Sequence, residues 1–96
     1  MKLSSGILLA ATIWLAATAA HAQSVQGNTY EGNGVKIVFK PGGIAITSLA
    51  TMNTQCTYTQ NGTAVSVTCE GDKDDYAIAK DGSLNHPQLG RLGKTN

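Results

Sequence analysis

Little in this chain is equipped for chemistry. Among 96 residues there are two cysteines, two histidines, two prolines, one tryptophan and one phenylalanine. Beyond residue 22 a single histidine remains, His86, and no Gly-x-Ser-x-Gly elbow exists to expose a nucleophilic serine. Gly32-Asn33-Gly34 has neither the spacing nor the following helix of a phosphate-binding loop, and reads as a hairpin turn. Charge of neither sign predominates, with seven basic and six acidic residues. That balance excludes the basic footprint expected of a nucleic-acid or anionic-lipid binder. No apolar run approaches the ~20 residues that a membrane-crossing helix needs.

What is present begins with an address. Lys2 supplies a positive start, Ile7 to Ala20 is uncharged and apolar, and Ala20-His21-Ala22 has the small-x-small pattern that a signal peptidase cuts after. Residues 1–22 are therefore expected to be a cleaved signal peptide, and 23–96 one small domain, periplasmic or secreted. No cysteine lies near the cut, so a soluble, unlipidated product without membrane insertion is expected. Cleavage removes Lys2 and leaves six basic residues against the six acidic ones. It also removes Trp14, so the processed protein should show tyrosine emission alone.

A domain of this size is marginal, because ordering costs on the order of 1.5 kcal/mol per residue and a small core barely offsets that. Cys56 and Cys69, both in the exported part, are the natural staple in an oxidising compartment.

After residue 22, short alternating runs are separated by turn dipeptides, the pattern of an antiparallel β-meander. Val35, Ile37 and Phe39 share one face of the first clear strand; Pro41-Gly42 then suits a two-residue turn. That turn would oppose Phe39 to Ile44 and Ile37 to Ile46. A second hairpin joins Gln55–Gln60 to Ala64–Cys69 through Asn61-Gly62, a strong turn signal. A two-residue Asn61-Gly62 turn would leave the cysteines diagonal, whereas a four-residue loop, Asn61 to Ala64, sets Cys56 directly opposite Cys69. A disulfide needs the direct pair. Further along, Tyr76 and Ile78 alternate with alanines before Asp81-Gly82. Asn28–Glu31 reads as an edge strand and Leu89–Lys94 as a last strand. Residues 49–54 read as a connection with Leu49 and Met52 tucked against the core. Gln23–Gln26 and the last residues read as frayed.

The spacing Gly27-x-x-Tyr30, then Phe39-x-x-Gly42, then Tyr58 before Asn61-Gly62 and Tyr76 before Asp81-Gly82 resembles small exported bacterial lipocalin-like meander domains. The resemblance spans most of residues 23–96. It implies a barrel-like antiparallel sheet and implies nothing about a ligand.

Candidate sites are few. His86, just before Pro87, reads as a solvated loop residue; a catalytic role would require a carboxylate beside it in a cleft. Asp72, Asp74 and Asp75 raise the question of a cation, yet they do not follow the calcium-loop pattern, and Lys73 sits among them. They read as a polar turn between strands. Lys36 and Lys40 alternate along a strand without an aromatic between them, which suits solubility better than nucleic-acid stacking. Tyr30, Phe39, Tyr58 and Tyr76 read as core filling, since a small barrel is just filled by its own side chains.

The expected fold is all-β: six or seven short antiparallel strands in a curled meander or partly open barrel, stapled between Cys56 and Cys69. No catalytic, cofactor or metal residues are assigned. The expected function is a non-enzymatic interaction or inhibitor-type module acting through its surface on an envelope or secreted protein. A small-ligand carrier is the alternative, and a small enzyme without a recognisable motif the third. The chain lacks the Ser-Gly-x-x-Tyr segment associated with one family of lysozyme inhibitors, which argues against that particular version.

Overall fold

The computed structural model describes residues 23–96, and the leader read at 1–22 lies outside them. Eight strands follow one another: β1 (Thr29–Gly32), β2 (Val35–Lys40), β3 (Ile44–Leu49), β4 (Met52–Asn61), β5 (Ala64–Cys69), β6 (Asp72–Ile78), β7 (Leu84–His86) and β8 (Gly90–Lys94). Each pairs antiparallel with its sequence neighbour, and β1 pairs with β8 to close the barrel. The meander is as expected, with the sheet fully closed and one strand beyond the upper expectation. Closure is made by Tyr30↔Lys94 and Glu31↔Gly93, so β1 is no edge strand. Closing the sheet removes the exposed edges that invite aggregation.

Alternation along each strand sends one set of side chains inward. Tyr30, Ile37, Phe39, Ala45, Val65, Val67, Tyr76, Leu84 and Leu92 are all buried. Tyr30 meets Phe39 edge-on at 5.7 Å between ring centres, and Phe39 meets Tyr58 edge-on at 4.8 Å, a geometry the ring quadrupoles favour. At the end of β1, beside β8, there is room only for glycine. A Cβ on Gly32 would lie 2.5 Å from the Arg91 carbonyl oxygen, a backbone atom that cannot swing away.

The first hairpin departs from expectation by one residue. Its loop holds Pro41, Gly42 and Gly43, so Lys40 opposes Ile44, Phe39 opposes Ala45 and Ile37 opposes Thr47. Gly42 and Gly43 both take positive φ, at 83° and 76°, and the Gly43 carbonyl accepts a hydrogen bond from Tyr58 N at 2.9 Å. A one-residue slip exchanges the two faces of a strand. Here it turns Ala45 and Thr47 inward and leaves Ile44 and Ile46 half-buried outside. Size explains the choice, because Ala45 lies in register between Phe39 and Cys56 and an isoleucine there would overfill the interior.

The second hairpin has the register that the disulfide demands. Gln60 opposes Val65, with Asn61 and Ala64 also paired, so the loop shrinks to Gly62 and Thr63. Gly62 has a φ of 64°, the positive value that the first position of a type II′ turn requires. Cys56 and Cys69 then face each other at a Cα separation of 4.5 Å and are bonded.

Four other readings are corrected. Residues 49–54 form the end of β3, a tight turn and the start of β4, so Leu49 and Met52 are a cross-strand pair and stand exposed instead of tucked in. Asp72–Asp75 belong to β6 and pair with β5 from Cys69↔Asp72 onward, so they are strand residues and no turn. His86 is the last residue of β7 and no loop residue. Neither end of the domain is frayed: Val25 is fully buried, and Asn96 accepts from Thr29 N at 3.1 Å and donates to the Gly27 carbonyl at 3.0 Å.

Candidate functional site

The two ends of the barrel differ. The strand directions put the 41–43, 62–63 and 79–83 connections and both ends of the described residues at one pole. Val25 corks that pole. Its N–H donates to Gln60 Oε1 at 3.0 Å, while Gln60 Nε2 donates to the carbonyls of Gln23 and Gly62. The 33–34, 50–51, 70–71 and 87–89 connections surround the other pole, which is open. There the inward face of the sheet ends in a depression of about 250 Å³. Val35, Thr47, Leu49, Asp74, His86 and Leu89 are among its lining residues.

The strand register gathers the polar part of this mouth. Tyr76 on β6 faces the barrel beside Leu84 and His86 of β7, and its ring centre lies 4.9 Å from that of His86. Asp74 is one inward step closer to the rim. Its Oδ1 lies 3.2 Å from His86 Nε2, and its side chain is half-exposed while that of His86 is buried. Burial and the Asp74 charge push the Tyr76 phenol up to about 12.

His86 therefore has the neighbouring carboxylate that a catalytic role would call for, but its second nitrogen is occupied. Nδ1 accepts the backbone N–H groups of Gln88 and Leu89, both at 3.1 Å. With Nδ1 an acceptor, Nε2 carries the proton and donates to Asp74. A general base needs a lone pair aimed at its substrate; this one is aimed at the loop between β7 and β8. Asn33 braces the same loop from the opposite side, donating from Nδ2 to the carbonyls of Leu89 and Arg91. The imidazole thus acts as a brace for the rim.

Asp72, Asp74 and Asp75 do not converge. On a strand, 72 and 74 point to one face and 75 to the other. Asp75 turns outward, where Ser66 Oγ donates to it at 2.8 Å. Among the described residues no three metal-binding side chains come together. Lys36 and Lys40 alternate on the outer face of β2 and are exposed. Tyr30, Phe39 and Tyr76 fill the interior as expected, with Tyr58 packed against them.

The rim also has an apolar side. Leu49 and Met52 oppose each other at the tip of the β3–β4 hairpin, on the inward face but beyond the packed interior. They are 54% and 69% exposed and are the large hydrophobic residues most open to water among the described residues. Sequence reasoning missed this pair, since an apolar couple flanking a tight turn looks the same whether the hairpin ends at the core or projects past it.

In comparisons with known proteins, no family model, no curated protein and no solved structure matches the chain. The described residues contain no helix long and apolar enough to cross a membrane.

Proposed function

We propose that this protein is an exported, non-enzymatic binding module that docks a partner protein of the cell envelope or its surroundings at the open end of the barrel, in the manner of an inhibitor or adaptor. The observation that carries this reading is the Leu49–Met52 pair, held in water beside a shallow mouth. An apolar pair so placed is expected at a surface that a partner covers. The leader-like start of the chain and the Cys56–Cys69 disulfide support an oxidising compartment.

A carrier of small molecules is less well supported. The interior is occupied by the molecule's own rings and branched side chains. The mouth, about 250 Å³, is smaller than the roughly 300–1,000 Å³ of usual small-molecule sites, and the depressions of about 380 and 370 Å³ lie on the outside of the barrel, against Glu31, Lys36 and Ser48 and against Asp75, Ala77 and Asn85. An enzyme is less well supported because the one imidazole among the described residues spends its lone pair on the backbone.

The test is capture of a partner from envelope extract by the purified, disulfide-bonded protein. We expect a single stoichiometric protein, lost when Leu49→Ser and Met52→Ser are combined. Capture unaffected by that double substitution would move the docking face elsewhere, and recovery of a small molecule without protein would favour the carrier.

A further inference from the structure

The mouth has a sign as well as a shape. The strand directions distribute the charges unevenly between the poles. Lys40 ends β2, Lys94 ends β8 and Lys80 lies in the 79–83 connection, all at the corked end. Asp81 and Arg91 neutralise each other at 2.7 Å. Toward the open end stand Glu31, Glu70, Asp72 and Asp74, against Lys36, while Lys73 pairs with Asp75 of mid-β6 at 4.0 Å. A chain with almost no net charge is therefore negative at one pole and positive at the other.

One of these carboxylates, Asp74, lines the mouth, and a second, Asp72, follows it toward the rim. Asp72 and Asp74 lie on the inward face of β6, in register with Cys69 and Val67. Asp74 commits Oδ1 to His86, while Oδ2 accepts no hydrogen bond among the described residues. Leu49 lines the same depression and continues into Met52 at the hairpin tip. One side of the mouth is thus apolar and uncovered, and the other is anionic with acceptor capacity to spare.

Resting on the docking role given above, we propose that the partner presents a basic side chain flanked by apolar residues. Its lysine or arginine head enters beside Asp74 and Asp72, and its apolar neighbours cover Leu49 and Met52. The depression is suited to one side chain. An acidic partner surface would be repelled at this pole, and a purely apolar one would bury Asp74 Oδ2 unpaired, a costly arrangement. A second copy of this chain approaching through its own mouth would set carboxylates against carboxylates. Approach of a basic partner would be steered by the charge separation and weakened by salt.

The experiment titrates isotope-labelled, disulfide-bonded protein with cyclic peptides and follows its backbone amide resonances. One peptide carries arginine between two leucines; the others replace that arginine with citrulline or with glutamate. We expect the arginine peptide to shift the amides of Leu49, Met52, Asp74, His86 and Leu89, and to bind more tightly than either control. Asp74→Asn keeps an oxygen for His86 and should weaken the arginine peptide by about fivefold, the effect of one half-exposed charge pair. Asp72→Asn, whose side chain makes no hydrogen bond among the described residues, should weaken it in the same direction. Citrulline binding at the mouth as tightly as arginine would overturn the charge assignment and leave the docking role standing. Tighter glutamate binding, shifts centred on Lys40, Lys80 and Lys94, or no shift at millimolar peptide would also overturn it. The fate of the docking role is read separately, from capture by the Leu49→Ser, Met52→Ser protein.

Discussion

Reducing the Cys56–Cys69 bond should cost about 3 kcal/mol. The cysteines are separated by 13 residues, and the chain-entropy treatment of a loop that long gives a denatured-state restriction of roughly that size. Little strain should offset it, because β4 and β5 already hold the pair directly opposite at a Cα separation of 4.5 Å, the spacing of a non-hydrogen-bonded antiparallel pair. For a domain of this length, total stability is roughly 4 to 11 kcal/mol. The staple is then a large share of it. We expect urea unfolding of the reduced protein, or of Cys56→Ala with Cys69→Ala, to give a free energy of unfolding lower by that amount. A melting temperature about 12–24 °C lower corresponds to the same loss. The hairpin register should survive reduction, since the Gly62-Thr63 turn and the Tyr58↔Val67 pairing specify it without the bond. A loss below about 1 kcal/mol would refute the entropic reasoning and show that the reduced chain is already restricted by residual hairpin structure.

Three further outcomes follow from particular contacts. The Tyr30 hydroxyl is buried without a hydrogen-bond partner among the described residues; Tyr30→Phe should therefore raise stability by about 1 kcal/mol in urea melts, whereas a clear loss would reveal a buried water on that oxygen. Ala50 sits at a φ of 55° in the turn between β3 and β4, where a Cβ is strained; Ala50→Gly should gain up to about 1 kcal/mol, read as a shift in thermal midpoint, after the extra chain entropy is subtracted. Tyr76 ionises near 10 when unfolded and near 12 in the barrel. The folded state thus holds the proton more tightly, so this contribution is complete below pH 10 and is lost as pH rises toward 12. Denaturant melts across that window should show a steeper decline for the wild type than for Tyr76→Phe, and parallel curves would contradict it.

The alternation of Val35, Ile37 and Phe39, the turn residues around Asn33-Gly34 and Gly62, and the demand that Cys56 meet Cys69 are all local. Each is written within a few residues, and together they were enough to read a stapled antiparallel meander from the chain alone. Other features required the closed barrel. Whether the loop after Lys40 held two residues or three was decided by the space left between Phe39 and Cys56, which placed Ala45 inside and the isoleucines outside. The meeting of His86 with Asp74 depended on how β6 registers with β7. The exposure of Leu49 and Met52 depended on how far the β3–β4 hairpin outruns the core. The separation of charge between the poles followed from the alternating strand directions, and closure through β1 and β8 turned those two ends into a corked pole and a mouth. Alternation and turn chemistry act between neighbours along the chain, so the sequence alone could state them. Closure joins residues more than 60 positions apart, as in Tyr30↔Lys94, and only there did volume and register settle which side chains line the mouth.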